Sequence, residues 1–362
     1  MTCCPNLAWP ARGQTGQGNL GIHSQQEHRF ICTQCGKTCT ATQGPAWYRL
    51  RTSAETSSLV VTLRAQGCPR HAMVVACGSD ERTVASWLAR DGRHGQAVQE
   101  HRGAPPRALG QVLAAAIRVT AQGRIVWMAL AMRVQTRVGL GGEASEPRDL
   151  ARRRRPIARV KRCAAPGPCW LGTAGVVSSL RARRETVRAP VHPGHGGRPR
   201  RRPWRQGWLA QVVKRDERRR VVETERRMVD GTPARVETLR RRSQGDGVMQ
   251  TADIARLHAT VRARLASLTR RGRALARQTA PCQHGRSLIG TVSHCCTPHA
   301  RLAPARGKTT PARAAGITDH GWSVHARLSS RVPPPPWTPP KRRGRPSYAL
   351  KRLIARWCGD HG

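Results

Sequence analysis

The clearest periodic pattern in the chain is an apolar stripe on an otherwise basic segment spanning 252–277. Steps of three and four residues between apolar positions indicate one face of an α-helix. We predict a helix here and assign its stripe to the core, because such a face is normally buried. The stripe consists of Ile254, Leu257, Val261, Leu265 and Leu268.

A second helical pattern lies between Gly67 and Gly92. A short apolar segment over 71–76 is followed by a turn at Cys77–Gly78, and a longer helix is predicted over 81–90. Ser79 or Asp80 supplies the N-terminal cap of this longer helix, and its apolar positions recur at helical spacing. The arrangement predicts either a helix-turn-helix or an ordinary helical hairpin. In the helix-turn-helix interpretation, the residues offered to a major groove are Arg82, Ser86 and Arg90.

Strand-like patterns dominate the middle of the chain. Three β-like runs near 116–120, 124–134 and 136–140 predict an antiparallel meander, and a helix is predicted near 146–164. The segment 169–180 reads as a strand leading into a helix, and a second hairpin is predicted to turn at Asp230–Gly231. Together these elements predict an α/β fold.

Charge points to a polyanionic partner. The 362 residues include 65 Lys and Arg against 20 Asp and Glu, a net charge of +45, which favours nucleic acid over a merely solvated basic surface. Leu, Ile, Val and Phe make up only roughly 17% of the chain, close to the composition of chains that fail to fold. A non-enzymatic basic protein that binds nucleic acid without sequence preference, and folds poorly, is therefore an alternative.

Cysteine usage and hydropathy limit the cellular setting. The 13 cysteines are spaced irregularly, which predicts free or metal-bound thiols in a reducing compartment. The first residues lack the basic-then-apolar order of a secretory signal. The strongly apolar run Val126–Met132 is too short to span a bilayer. We expect a cytoplasmic protein, at the bacterial nucleoid, with no membrane partner.

Cys32 and Cys35 form a C-x2-C, half of a structural zinc site.

Three segments in order resemble bacterial insertion-sequence transposases of the insertion-sequence-one type. They are the cysteine-bearing stretch from Cys4 to Thr38, "GSDERTVASWLAR" from Gly78, and "IARLHATVRARLASLTRRGRALAR" from Ile254. The resemblance implies a zinc ribbon, a helix-turn-helix and an RNase H-like catalytic domain. It also implies insertion-sequence ends as the DNA partner, possible homo-oligomers, and Mg²⁺ or Mn²⁺ held by three carboxylates for strand cutting and joining.

The residues needed for this metal chemistry are missing. The three acid positions implied by the resemblance are occupied by Ala115, Ala174 and Ala255, and the expected Asn is His258. The zinc ribbon implies a C-x4-C beginning at Cys4, but its second cysteine is Trp9. This leaves Cys4, Cys32 and Cys35 with His23 or His28 as a weakened Zn²⁺ site. We therefore predict a decayed copy that binds DNA but does not cut it; a working transposase whose acids lie elsewhere is the rival interpretation.

The predicted organisation has four parts, and the last is a basic Pro/Arg-rich tail. Within this tail Arg343 and Arg345 belong to an R-G-R-P core that resembles an AT-hook, suited to a narrow minor groove. The four parts are a degenerate zinc-ribbon-like segment over 1–47, a helix-turn-helix over 50–100, an RNase H-like domain over 108–300 and the tail over 301–362.

Overall fold

In a computed structural model the chain forms two compact units. The cysteine unit comprises Met1–Ser53 with Leu328–Gly362, and the sheet unit comprises Ala54–Arg327. The four predicted parts do not correspond to these two units, because the end of the predicted tail belongs to the same unit as the N-terminal segment. The structure describes residues 2–14, 16–103, 105–121, 124–145, 150–165, 167–174, 186, 188–191, 200–203, 207–218, 220–244, 248–265, 279–302, 308–335, 337–340 and 344–358.

The cysteine unit contains a three-stranded antiparallel sheet. Its strands β1 (Leu20–Ser24), β2 (Arg29–Cys32) and β3 (Thr38–Thr40) pair in chain order. A C-terminal helix, Tyr348–Trp357, is capped by the Ser347 hydroxyl, which accepts a hydrogen bond from the Leu350 backbone N–H. The side chains of Trp337 and Trp357 pack with Cys4 and Cys32 in one apolar cluster. This small unit therefore has its core around its cysteines.

The sheet unit begins with three helices: α1 (Ala54–Ala65), α2 (Arg70–Cys77) and α3 (Glu81–Arg102). Gly78 ends α2 in the left-handed conformation, with φ of 58°, which a glycine adopts without a steric cost. The Asp80 carboxylate then accepts hydrogen bonds from the Arg82 and Thr83 backbone N–H groups and caps α3. The predicted two helices are present, and the second is longer than the sequence pattern indicated.

A six-stranded mixed sheet forms the centre of this unit. Its order is β11-β10-β7-β4-β5-β6. β4, β5 and β6 form the predicted antiparallel meander, while β7 pairs in parallel with both β4 and β10. The strand bounds are Gly110–Ala121 (β4), Arg124–Arg133 (β5), Gly139–Ser145 (β6), Cys169–Ala174 (β7), Gly207–Glu217 (β10) and Arg220–Asp230 (β11), with a separate two-stranded pair of β8 (Arg188–Val191) and β9 (Arg200–Pro203).

Helices cover the two faces of the sheet. Ile157 and Val160 of α4 (Leu150–Cys163) pack in a core with Val112 and Leu171. A second core joins Trp170 and Trp208 to Val236 and Leu239 of the next helix. The other helices among the described residues are α5 (Pro233–Gln244), α6 (Ala252–Arg264), α7 (Thr279–Cys295), α8 (Pro311–Ala314), α9 (Val324–Ser329) and the C-terminal α10 (Tyr348–Trp357), with a 3₁₀ turn at Ala300–Leu302.

The predicted hairpin at Asp230–Gly231 is wrong. β11 ends at Asp230, and the following residues form α5 instead of a returning strand. Val236 and Leu239, spaced three apart, form the buried side of this helix, a spacing that indicates a helix more than a strand. The hairpin is instead formed by β10, which ends at Glu217, and β11, which begins at Arg220.

The apolar stripe that begins at Ile254 is buried as predicted at three of its four described positions, and Leu257 is half-buried. Ile254, Val261 and Leu265 are at most 3% exposed, and α6 packs on β4 and β5. The helix ends at Arg264; the predicted extension to 277 and Leu268 lies outside the described residues.

A cysteine cluster and the positions of the predicted catalytic acids

The turn after β2 has the backbone geometry that a pair of metal-binding cysteines requires. The Cys32 carbonyl accepts hydrogen bonds from the backbone N–H groups of Cys35 and Gly36, at 3.3 and 2.8 Å. Gly36 has φ of +68°, and the Cys32 N–H donates back to the Lys37 carbonyl at 2.9 Å. This tight turn brings Cys32 and Cys35, three residues apart, to one side of the loop.

Cys4 completes a group of three thiols. The sulfur atoms of Cys4, Cys32 and Cys35 all lie within 4.8 Å of one another, and the Cys4 and Cys35 Sγ atoms are 3.6 Å apart. Around a tetrahedral zinc ion with Zn–S bonds of ~2.3 Å, ligand sulfurs are about 3.8 Å apart. The three cysteines therefore lie close enough together to hold one metal ion, and a zinc ion fits their separation and their chemistry.

The surroundings of the thiols distinguish Cys4 from Cys35. Burial and the neighbouring thiols raise the pKa of Cys4 to about 12, although the Asn6 backbone N–H opposes this. Burial also acts to raise the pKa of Cys35, but hydrogen bonds from the Lys37 backbone and the Asn6 side chain to its sulfur outweigh it and lower the pKa. Because a metal binds the thiolate, Cys35 is more ready than Cys4 to receive it.

Neither histidine predicted as a fourth ligand joins the cluster. Cys32 pairs with Leu20 at one end of the β1–β2 hairpin, whereas His23 and His28 lie near its other end, exposed. Four residues of extended strand between His28 and Cys32 correspond to ~13 Å. The expectation of a histidine ligand is therefore corrected: the described residues bring three cysteines together and no histidine.

Trp9 and Cys39 are two further residues that bear on this cluster. Trp9, at the position of the expected second cysteine, is 41% exposed, and its N–H closes a turn on the Asn6 carbonyl at 3.0 Å. Cys39, the middle residue of β3, is buried. Burial and the nearby Cys32 raise its pKa, so its sulfur belongs to the surroundings of the cluster.

Two of the three predicted acid positions are neighbours in the sheet. β4 and β7 pair in parallel up to Ala114 and Thr173, so the next register step places Ala115 opposite Ala174, the last residue of β7. Residues in register on adjacent strands share a face of the sheet. The alanine at each position supplies no oxygen for a hard divalent ion such as Mg²⁺ or Mn²⁺.

The third position, Ala255, lies on the exposed side of α6. Two residues earlier, Asp253 is buried and forms ion pairs with Arg137 and Arg301. This carboxylate is therefore held by arginines and does not point to the side of Ala255. In the described part of the chain, the three cysteines are the sole group of at least three side chains able to hold a metal. The residues present do not fit the Mg²⁺ or Mn²⁺ site that the resemblance implies.

Histidine occupies the position where the resemblance expects an asparagine. His258 is 4% exposed, and burial, together with Arg262, lowers its pKa to about 4. A second buried histidine, His294 of α7, accepts a hydrogen bond at Nε2 from the Gly139 backbone N–H at 3.1 Å. Burial lowers its pKa to about 4 as well. Both are therefore neutral at physiological pH.

The residues predicted to read DNA fall on one side of α3. Arg82 and Ser86 are exposed, and Arg90, two turns after Arg82, is half-buried. The inward positions Val84 and Trp87 are buried. Further along the helix, the buried Asp91 forms an ion pair with Arg327, so α3 is fixed to the body of the sheet unit while its first turns remain accessible.

The AT-hook-like motif is described only in part. Arg345 is exposed and precedes helix α10, whereas Arg343 lies outside the described residues. The structure therefore offers no geometry for the whole motif.

Comparison with known proteins gives no relative. No known protein family matches this sequence, and no curated protein is recognisably similar to it. Among the described helices, none is both long and apolar enough to cross a bilayer.

Proposed function

We propose that this chain is a DNA-binding protein of the insertion-sequence transposase type that no longer cuts or joins DNA. The observation that carries the proposal is the start of α3, where a left-handed turn at Gly78 presents Arg82 and Ser86 to solvent. In helix-turn-helix proteins the first turns of the second helix contact base edges. The net charge of +45 supplies attraction to phosphates.

The sheet topology supports the RNase H-like assignment. An antiparallel meander, β4 to β6, continues through α4 into β7, which pairs in parallel beside the first strand of the meander. β10 then adds in parallel on the far side of β7. A mixed sheet of this kind is compatible with the RNase H-like domain that the resemblance implies, with β11 as an added antiparallel edge strand.

The proposed loss of catalysis follows from the side chains at the predicted acid positions. Ala115 and Ala174 are adjacent in the sheet register, where two metal-binding carboxylates of such a domain would lie, and neither carries an oxygen. Removing a complete set of catalytic groups costs on the order of 10⁶ in rate. DNA recognition uses other residues, so binding would survive this loss.

The cysteine cluster has a structural role in this proposal. Cys4, Cys32 and Cys35 would hold Zn²⁺, which cross-links the N-terminal loop to the β2–β3 turn. A small unit with few apolar residues needs such a cross-link, because its own core supplies little stability.

Binding to two DNA duplexes tests the recognition part of the proposal. One duplex carries the terminal inverted repeat flanking the gene, and the other is a scrambled sequence of equal length and composition. We expect preference for the repeat, and a loss of about 1–3 kcal/mol for the repeat alone in Arg82→Ala. The control Arg235→Ala removes the same charge from the exposed first turn of α5 and should not change the preference.

Two outcomes would contradict the proposal. Equal affinity for both duplexes, with Arg82→Ala and Arg235→Ala indistinguishable, would favour sequence-independent binding by a basic surface. Nicking of supercoiled DNA that requires Mg²⁺ or Mn²⁺ and is absent with EDTA would show that a catalytic site exists elsewhere in the chain.

A further inference from the structure

The outer strand of the six-stranded sheet is long and open. β11 spans eleven residues, Arg220–Asp230, and lies at the end of the strand order with β10 as its neighbour. Nine of its residues are exposed and two are half-buried. Val221 and Val222 are 52% and 54% exposed, and Met228 is 37% exposed. An edge strand with exposed apolar side chains is a template for pairing with another strand.

The charge of this strand differs from that of the rest of the chain. β11 carries three arginines and three acids, so its formal charge is zero, whereas the whole chain carries +45. A neutral strand gains nothing from a phosphate backbone. Its charge balance therefore favours a protein partner over nucleic acid.

The sequence of β11 is self-complementary when read in opposite directions. If a second copy of the strand runs antiparallel with Glu225 facing its own counterpart, residues whose numbers sum to 450 become cross-strand partners. On each side of the two-fold axis, this register gives two pairs of oppositely charged residues and two pairs of apolar residues. These partners are Arg220 with Asp230, Val221 with Val229, Val222 with Met228 and Glu223 with Arg227.

We propose that β11 pairs with β11 of a second copy of this chain, so that the two sheets join across a two-fold axis. A two-fold axis requires the same surface on both copies and antiparallel strands, which this register satisfies. Each directly opposite pair of oppositely charged or apolar side chains contributes roughly 0.2–1 kcal/mol to the stability of the strand pair. Glu225 meets a like charge at the axis, and Arg227, which pairs with Glu225 of its own strand, would be shared between Glu225 and Glu223 of the other copy.

Ion pairs already present in the hairpin do not prevent this exchange. Arg215 lies 4.0 Å from Glu223, and both side chains are more than 60% exposed. Exposed pairs of this kind contribute little to stability. Glu223 can therefore exchange Arg215 for Arg227 of the other copy at a small energetic cost. Because the contact is a single strand pair, we expect an affinity in the micromolar range.

Charge reversal and restoration test the proposed register. The full-length protein is examined by sedimentation at about 0.3 M salt, where the Debye length is below ~8 Å and the repulsion between two basic chains is screened. We expect a monomer–dimer equilibrium. Glu223→Arg and Arg227→Glu, made separately, should each weaken dimerisation about tenfold or more, and the double variant should restore it. Circular dichroism confirms that each variant is folded.

Site-specific cross-linking locates the axis. In Glu225→Cys, the two new thiols face each other across the axis, so mild oxidation should give a dimer whose peptides link 225 to 225. The control Val221→Cys lies on the same strand, but its two copies would be about 26 Å apart at 3.3 Å per residue. It should give no such product.

The proposal is overturned by any of three results. The wild-type protein could remain monomeric at all accessible concentrations, the charge-swapped double variant could fail to recover dimerisation, or Val221→Cys could cross-link as readily as Glu225→Cys. None of these readouts depends on DNA binding, so they leave the proposed function to its own test.

Discussion

The cysteine cluster and the pair of alanines at 115 and 174 are two predicted metal positions with opposite outcomes. In the cysteine unit three of the expected ligands remain and lie within 4.8 Å of one another. In the sheet unit the two predicted positions are neighbours by the register of β4 and β7, but neither side chain is a metal ligand. The cysteines would hold a metal that stabilises the fold of their unit, whereas the predicted acid positions would have held metals for catalysis.

The difference has a physical basis in how each unit is stabilised. The sheet unit contains two apolar cores, one on each face, which depend on residues such as Leu171, Trp170 and Val236. Alanine at the predicted acid positions does not disturb these cores. The cysteine unit packs its few apolar side chains, among them Trp337 and Trp357, around the cysteines themselves. Loss of the metal should therefore affect the fold of one unit, whereas in the other it affects chemistry alone.

The largest expected effect comes from removing a cysteine ligand. Cys32→Ser leaves two thiols in the cluster and should weaken zinc binding by about 10³-fold, with loss of ordered structure in the cysteine unit, because zinc binding and folding are coupled in small domains. Zinc content by mass spectrometry and limited proteolysis of residues 1–53 measure the two effects.

The matched control for this experiment is Cys163→Ser. Cys163 is also buried, but it lies in α4 of the sheet unit, outside the cluster. It should retain the zinc content of the wild-type protein. Equal zinc content in Cys32→Ser and Cys163→Ser would show that the cluster does not bind the metal.

Acid should destabilise the sheet unit through its buried histidines. The pKa values of His258 and His294 are about 4 in the folded protein, below the ~6.5 of an unfolded chain. The unfolded state therefore binds more protons between these values, and stability falls as the pH drops from about 6.5 to about 4. Each histidine contributes up to about 1.4 kcal/mol per pH unit, so together they change the unfolding equilibrium by ~100-fold per unit.

Urea unfolding at several pH values measures this dependence. His258→Asn, which introduces the residue that the resemblance expects, should remove about half of the slope. His71→Asn is the control, because His71 is exposed on α2. If His258→Asn and His71→Asn give the same slope as the wild-type protein, His258 is not the group responsible.

Local patterns predicted much of this fold, whereas long-range contacts were not predictable. Three β-like runs near 116–120, 124–134 and 136–140 predicted the meander, and the stripe at Ile254 predicted α6. The Pro- and Arg-rich composition after 301 concealed the packing of Trp357 on the cysteines, since a tryptophan 325 residues beyond Cys32 carries no local signal of that contact. The adjacency of Ala115 and Ala174 likewise depends on the register of β4 and β7, which a parallel crossover sets at long range.

Restoring acids at the two alanine positions tests whether the sheet site is still assembled. Ala115→Asp with Ala174→Asp should create a Mn²⁺ site, since carboxylates in register on adjacent strands are ~5 Å apart at their backbones. We expect the double variant to bind Mn²⁺ about 30-fold more tightly than either single variant, because hard divalent ions are held by carboxylate oxygens. Electron paramagnetic resonance of free Mn²⁺ provides the measurement.

The double asparagine variant is the control for this gain. Ala115→Asn with Ala174→Asn has nearly the same shape but no charge, and should bind Mn²⁺ no better than the wild-type protein. Failure of the double aspartate variant to exceed the single variants would mean that the two positions do not share a site.

The smallest effect is expected from substituting Trp9 by cysteine. The Trp9 backbone N–H donates to the Asn6 carbonyl, and the Asn6 side chain donates to the Cys35 sulfur, so the turn that carries position 9 is hydrogen-bonded to the cluster. Trp9→Cys should tighten zinc binding about tenfold by adding a fourth thiolate to a tetrahedral site. Leu7→Cys, in the same loop and 62% exposed, is the matched control. Competition with a chromogenic chelator distinguishes the two: equal gains would indicate that any nearby thiol suffices, whereas a gain specific to position 9 would show that the loop keeps the geometry of a four-cysteine site.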